Sequence, residues 1–328
     1  MTPEIGEAAR GGERLGNPAP FSRVSTAMRV HHLTCGSLYP VGGSMLGMRA
    51  LGCHCLLVET DRGLVLVDTG FGTEDVTRPR PRLSGLFIRL GGIRFDPMDT
   101  ALEQVRELGF KPADVRNIVL THLDFDHAGG IADFPGATVH VLAAEAAAAR
   151  HRHGFVARRR YRPAQWRAVA KWQEYKPDGE NWFGFTAVRQ LKDLPPEILM
   201  VPLPGHSAGH CGVAVKTGGR WLLHAGDAYF DHAEMNPQHP HCPFGLAAVQ
   251  RLMQTDAAAR RQNRERLRDL AERAREEVTI FCSHDVAELE VRQRAAERAL
   301  RAVRPALKRE EAGREEAGRE EGARGSAA

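Results

Sequence analysis

The chain has 328 residues, of which 42% are apolar, 26% charged and 6% aromatic, a composition that excludes a fibrous or wholly disordered protein. Its 45 basic and 41 acidic residues leave a formal charge of +4, too small a surplus among so many charges of both signs to point to nucleic acid. Six cysteines with no C-x-x-C pair make neither a disulfide framework nor a zinc ribbon, and reduced thiols suit the cytoplasm.

Residues 1–27 are rich in Gly, Pro and Ala and lack apolar periodicity, so they read as a disordered leader without the apolar core of a secretory signal. MRVHHLT, from Met28, starts the folded part as a strand. Cys53–Glu59 and Gly63–Asp68 are β-rich runs joined by a turn at Asp61-Arg62-Gly63, a hairpin pattern. Cys53 and Cys55 share one face of the first run and belong to the core. Thr100–Leu108 has helical spacing, Asn117–Thr121 is a buried-strand run, and strand Thr138–Leu142 leads into the alanine-rich helix Ala143–Arg150.

Residues 151–190 carry three of the four tryptophans and the basic run Arg158-Arg159-Arg160. This segment is either a lid with an aromatic wall or an insertion whose aromatics pack on the body and whose arginines face water. Beyond it come strands Ile198–Leu203, Gly212–Lys216 and Arg220–His224, and helices Leu246–Met253 and Asp256–Glu277. Strand Val278–Cys282 and a helix from Val286 to Val303 follow. Strands and helices interleave throughout, which predicts one α/β domain over residues 28–304. Residues 305–328 repeat Arg-Glu-Glu-Ala-Gly and form a solvated, disordered tail. No apolar run approaches the ~18 residues of a membrane span.

The chemistry concentrates in NIVLTHLDFDHAGG, residues 117–130. His122, Asp124, Asp126 and His127 lie within six positions just past a strand, ahead of the turn at Gly129-Gly130. A hydrolytic metal site needs imidazoles and carboxylates converging on a stiff loop, and this run supplies both. His206 in PGHSAGH, Asp227 in GDA and His284 in SHD each follow the C-terminal end of a predicted strand. Ligands of open α/β sheets gather at that edge. His239, His241 and Cys242 could bind metal but lie in a Pro-rich loop and read as a plain loop, and His151 and His153 in the basic stretch read as solvated.

Together with LVDTG at Leu66–Gly70, these ordered motifs resemble those of the metallo-β-lactamase superfamily over about Met28 to Val303. The resemblance implies an αββα sandwich with two divalent metal ions at one edge, most often zinc, with iron or manganese as alternatives. It assigns His122, His206 and the residue at 124 to one metal, Asp126, His127 and His284 to the other, and Asp227 to both. Asp68 and His210 would orient these ligands by hydrogen bonds.

The chain departs from the usual H-x-H-x-D-H pattern at Asp124. As a ligand, a carboxylate there makes the site less positive and favours harder ions such as manganese or iron. If Asp124 is not a ligand, one metal position stays empty. The wording of the motif is most similar to the lactonase-type branch, whose members carry a tyrosine three residues after the bridging aspartate. That position is Phe230 here, with Tyr229 one residue earlier. The expectation is a dinuclear metallohydrolase in which a metal-bound hydroxide attacks an ester, lactone or related carbonyl. Asp126 would assist proton transfer, and Tyr229 would donate to the carbonyl. Its partner is a small-molecule substrate, with neither nucleic acid nor membrane. An iron-dependent redox enzyme and a non-catalytic metal-binding protein are the alternatives.

Overall fold

The computed structural model describes residues 28–299. The expected leader 1–27, the expected tail 305–328 and residues 300–303 of the expected final helix lie outside the described residues. The strands are β1 (Arg29–Leu38), β2 (Leu51–Thr60), β3 (Gly63–Val67), β4 (Ile93–Arg94), β5 (Val115–Val119), β6 (Thr138–Leu142), β7 (Trp172–Tyr175), β8 (Glu180–Trp182), β9 (Phe185–Gln190), β10 (Ile198–Pro202), β11 (Cys211–Thr217), β12 (Arg220–His224) and β13 (Val278–Phe281). The helices are α1 (Thr73–Thr77), α2 (Pro79–Arg82), α3 (Gly85–Gly91), α4 (Ala101–Glu107), α5 (Ala143–His151), α6 (Gly154–Arg160), α7 (Pro163–Trp166), α8 (Phe244–Met253), α9 (Ala257–Arg273) and α10 (286–299).

Two sheets result, with strand orders β4-β1-β2-β3-β5-β6-β7 and β13-β12-β11-β10-β9-β8. Their inner faces share one apolar layer, in which Leu56, Val58, Val65 and Val67 of the first sheet meet Ile198, Met200, Val213 and Val215 of the second. The outer face of the first sheet carries a second core with Val105 of α4 and Ala146 of α5, and the outer face of the second sheet is covered by α9. This is the αββα sandwich. On α9, Arg260, Asn263, Leu267 and Leu270 are buried at helical spacing, and Asp256 caps the start by accepting from the N–H groups of Ala258 and Ala259, each at 2.9 Å.

Strands β3, β5 and β6 pair in parallel, as do β12 and β13, so their C-terminal ends collect at one edge. The sequence reading placed the hairpin β2–β3, helices α4, α5, α8 and α9, and strands β5, β6 and β10–β13 to within a few residues. It missed the short helices α1–α3 and treated 151–190 as one unit. That stretch divides three ways. Helices α6 and α7 lie over the site, β7 extends the first sheet, and β8 and β9 complete the second. The short strands β7 and β8 are edge strands with few apolar residues, so their alternation is weak in the sequence. Among the described residues, no helix is long and apolar enough to cross a membrane.

Candidate metal centre

The loops after β5, β10, β12 and β13 bring His122, Asp124, Asp126, His127, His206, Asp227 and His284 together at the sheet edge. All are buried, Asp126 being the most exposed at 8%. The Asp227 carboxylate sits among four imidazoles. Its Oδ2 lies 3.1 Å from His284 Nε2, 3.4 Å from His206 Nε2 and 3.8 Å from His122 Nε2, and its Oδ1 lies 3.3 Å from His127 Nε2. His122, Asp124 and His206 present ligand atoms within 4.8 Å of one another, and so do Asp126, His127 and His284, with Asp227 beside both sets.

Three of these atoms form no hydrogen bond. His122 Nε2, His127 Nε2 and Asp227 Oδ1 are buried without a hydrogen bond, which is costly for polar groups unless something else ligates them. Neutral imidazole nitrogens and carboxylate oxygens converging in this way fit divalent cations.

The Nδ1 atoms of three of the four imidazoles are occupied by groups that aim the ligands, and that of His206 forms no hydrogen bond. His127 Nδ1 meets Asp68 Oδ2 at 2.8 Å, His284 Nδ1 donates to the Gly52 carbonyl at 2.8 Å, and His122 Nδ1 pairs with Thr121 Oγ1 at 2.9 Å. His210 is not in the cluster. Its Nδ1 donates to the Leu203 carbonyl and its Nε2 accepts from the Asp227 N–H, both at 2.8 Å, so it fixes the loop that carries Asp227. Gly226 in that loop is at φ +55°, and a Cβ there would lie 2.5 Å from His210 Nε2, so only glycine fits.

Burial disfavours charge throughout the site, and the neighbours decide the outcome. Against burial, the carboxylates of Asp227 and Asp68 hold the His127 imidazole well above its ordinary pKa, and those of Asp227 and Asp126 raise His284. Asp227, surrounded by imidazoles, falls well below the usual carboxylate range, whereas burial with Asp227 and Asp124 nearby pushes Asp126 up. Burial, helped by the Arg160 charge, pushes His206 down to about 3. A cation entering the site therefore displaces protons, and its affinity weakens as pH is lowered.

Asp124 carries the main surprise. Arg160, the last residue of α6, clamps it with two hydrogen bonds of 2.6 Å, from Nε to Oδ1 and from Nη2 to Oδ2. Against burial, the guanidinium holds the Asp124 carboxyl well below its ordinary pKa. The sequence reading had an unopposed carboxylate making the site less positive. Arg160 restores that charge, so Asp124 does not make the site less positive, while its oxygen donor is unchanged. Of the run Arg158-Arg159-Arg160, only Arg160 is buried. Nothing in the run itself marks it out, because three adjacent arginines differ only in which way α6 turns them.

Tyr229 does not face the cluster. Its hydroxyl donates to the Glu288 carboxyl, 3.0 Å from Oε1 and 3.1 Å from Oε2. Phe230 takes the place beside the ligands, its ring centroid 4.5 Å from that of His284 and 6.0 Å from that of His206.

Glu145, in the alanine-rich helix α5, was missed. It accepts from Leu123 N at 3.0 Å, Ser207 Oγ at 2.6 Å and Gly209 N at 3.0 Å, and so ties the His122 loop to the His206 loop. A lone glutamate starting a polyalanine run is the only trace of this in the sequence. Cys53, Cys55 and Cys211 are buried, and His239, His241 and Cys242 join no candidate metal cluster among the described residues.

A family model described as metallo-beta-lactamase superfamily matches residues 48–284. A probable metallo-hydrolase of Mycobacterium tuberculosis is 43% identical over 258 residues, covering 79% of this chain and 80% of the relative. An N-acyl homoserine lactonase of Bacillus thuringiensis is 27% identical over 206 residues, covering 60% of this chain and 74% of its own length. Among solved structures, a B. thuringiensis AiiA variant with N-decanoyl-L-homoserine bound at the active site superposes with a TM-score of 0.60 at 22% identity, covering 81% of this chain and 96% of that one. A probable metal-dependent hydrolase from Staphylococcus aureus gives a TM-score of 0.59 at 19% identity, over 79% and 90%. At these identities the two superpositions show a shared fold.

Proposed function

The chain belongs to the metallo-β-lactamase superfamily as a metal-dependent hydrolase, and from that premise we propose that it opens an ester or lactone carbonyl of a small-molecule substrate, with up to two divalent ions, zinc first among them. The observation that supports this reading is the Asp227 carboxylate ringed by four buried imidazoles, two of them with free Nε2 atoms. Divalent cations bound there supply Lewis acidity for the carbonyl and a hydroxide nucleophile at neutral pH.

The protein's own part is to aim and shield. Asp68 and the Gly52 carbonyl orient His127 and His284, and His210 orients Asp227. Asp126, slightly more exposed than the other ligand candidates and with its pKa raised by burial, would take a proton from the nucleophile and return it to the leaving oxygen. Phe230 offers an apolar surface beside His206 and His284 for the acyl part of the substrate. The Tyr229 hydroxyl is committed to Glu288, so the reading dispenses with a tyrosine donor.

The test loads metal-free protein with Zn²⁺, Mn²⁺ or Fe²⁺, measures bound metal, and assays lactones, aryl esters and phosphotriesters. Turnover of a lactone or aryl ester is expected. Metal-loaded protein inert on every member of the panel would favour a binding protein, and turnover of phosphotriesters alone would overturn the carbonyl assignment.

A further inference from the structure

The guanidinium of Arg160 has five N–H donors and no acceptor, and all five are used. Two go to Asp124, at 2.6 Å each. Nη1 donates to the carbonyls of Met253 at 2.6 Å and His206 at 3.2 Å. Nη2 lies 2.8 Å from His206 Nε2. Because the guanidinium can only donate, His206 Nε2 is the acceptor in that last contact. An imidazole nitrogen has a single lone pair, and here it points at an arginine. The Asp124 oxygen nearest the imidazoles, Oδ2, gives one of its two lone pairs to Nη2, and it lies 3.0 Å from His206 Nε2 and 3.4 Å from His122 Nε2, separations that suit ligands of one ion.

The other half of the cluster has no such occupant. His127 Nε2, like His122 Nε2, forms no hydrogen bond, and among the described residues no basic side chain hydrogen-bonds or ion-pairs with Asp126 or Asp227 apart from the imidazoles themselves.

We propose that Arg160 is a built-in cation of the His122–Asp124–His206 half-site, occupying His206 Nε2 and the Asp124 carboxylate that a metal ion would use while His122 Nε2 stays open, so that the two halves of this centre bind divalent ions with unequal affinity. The Asp126–His127–His284 half, with Asp227, is the resident metal site. The Arg160 half fills only when the guanidinium withdraws. Arg160 ends α6, and the chain runs on through a backbone bridge between Tyr161 and Asp124 to Gln165 of α7, which donates to Asp75 and to the Phe125 carbonyl. Filling the second half therefore disturbs residues 154–166. Arg160 acts through Asp124 and His206 and is a positioning residue. This inference rests on the reading of the cluster as a metal centre.

The test is a titration of Zn²⁺ into metal-free full-length protein by calorimetry, repeated with Co²⁺ by visible absorption, alongside hydrogen–deuterium exchange. Wild type should bind one equivalent tightly and a second roughly 10- to 100-fold more weakly. Exchange in 154–166 should rise only with the second equivalent. Arg160→Met, which leaves Asp124 and His206 free for an ion, should strengthen the second equivalent by a similar factor and leave the first unchanged. The double variant Asp124→His with Arg160→Met leaves no buried charge unpaired and serves if Arg160→Met does not fold; it should bind two ions of near-equal affinity. Two equal sites in wild type, or a second site weakened by Arg160→Met, would overturn the proposal and leave the metallohydrolase reading standing. A chain that binds neither ion would overturn both.

Discussion

Asp68 Oδ2 lies 2.8 Å from His127 Nδ1 and also accepts from Thr121 Oγ1 at 2.7 Å, while Asp68 itself is held at φ +56°. A non-glycine residue in that left-handed region is strained, and here the strain turns the carboxylate at the end of β3 toward the imidazole. Asp68→Asn keeps the shape and removes the acceptor charge that holds the proton on His127 Nδ1 and so turns Nε2 toward the ion. It should weaken metal binding roughly 10- to 100-fold with little change in melting temperature. Competition with a chromophoric chelator measures it, and unchanged affinity would remove Asp68 from this role.

Glu145 joins two ligand loops through three buried acceptor contacts. Gly209 has no room for a side chain there, because a Cβ would lie 2.1 Å from the Glu145 nitrogen. Glu145→Ala strands the donors of Leu123, Ser207 and Gly209, and should cost at least ~3 kcal/mol of stability. Urea unfolding of metal-free protein is the check, and a loss under ~1 kcal/mol would mean that water replaces the carboxylate.

Tyr229→Phe removes a hydroxyl bonded to Glu288 and leaves Phe230 where it is. Turnover should stay within a few-fold of wild type, while stability drops by about 1–2 kcal/mol. Phe230→Ala should instead raise KM, because it deletes the apolar surface beside the ligands. A kcat collapse in Tyr229→Phe with unchanged stability would restore the tyrosine as a substrate donor.

Acid should destabilise the protein independently of its metals. His32 pairs with His54 at 2.8 Å and stands edge-on to Phe281, and burial, with Arg292 and His224 adding to it, pushes its pKa down to about 3. The folded state thus prefers neutral His32, and the unfolded chain takes up the proton at about 6.5. The stabilisation is fully present above that value and is lost progressively as pH falls toward 3. Between pH 7 and pH 5, His32 alone should cost about 2 kcal/mol. Denaturant midpoints of metal-free wild type and His32→Gln at the two pH values test this, the variant showing the shallower dependence. Equal slopes would mean that His32 titrates normally.

His122, Asp126, His127, His206, Asp227 and His284 were readable from the chain because each follows a strand end, and the alternation that makes a buried strand also delivers the next loop to the sheet edge. Spacing along the chain carries that information. Three features were decided elsewhere. Tyr229 and Phe230 are neighbours, yet one reaches Glu288 and the other the ligands, because adjacent side chains leave a loop in different directions. Glu145 looks like a solvent-facing helix residue until the His206 loop packs on α5. Arg160 lies 36 residues from Asp124, and only the way α6 folds back over β5's loop brings the guanidinium to the carboxylate. Local chemistry follows chain order. The charge of a buried site is a sum over whatever packing brings within a few ångströms, and residues distant in the chain enter it without any local pattern to announce them.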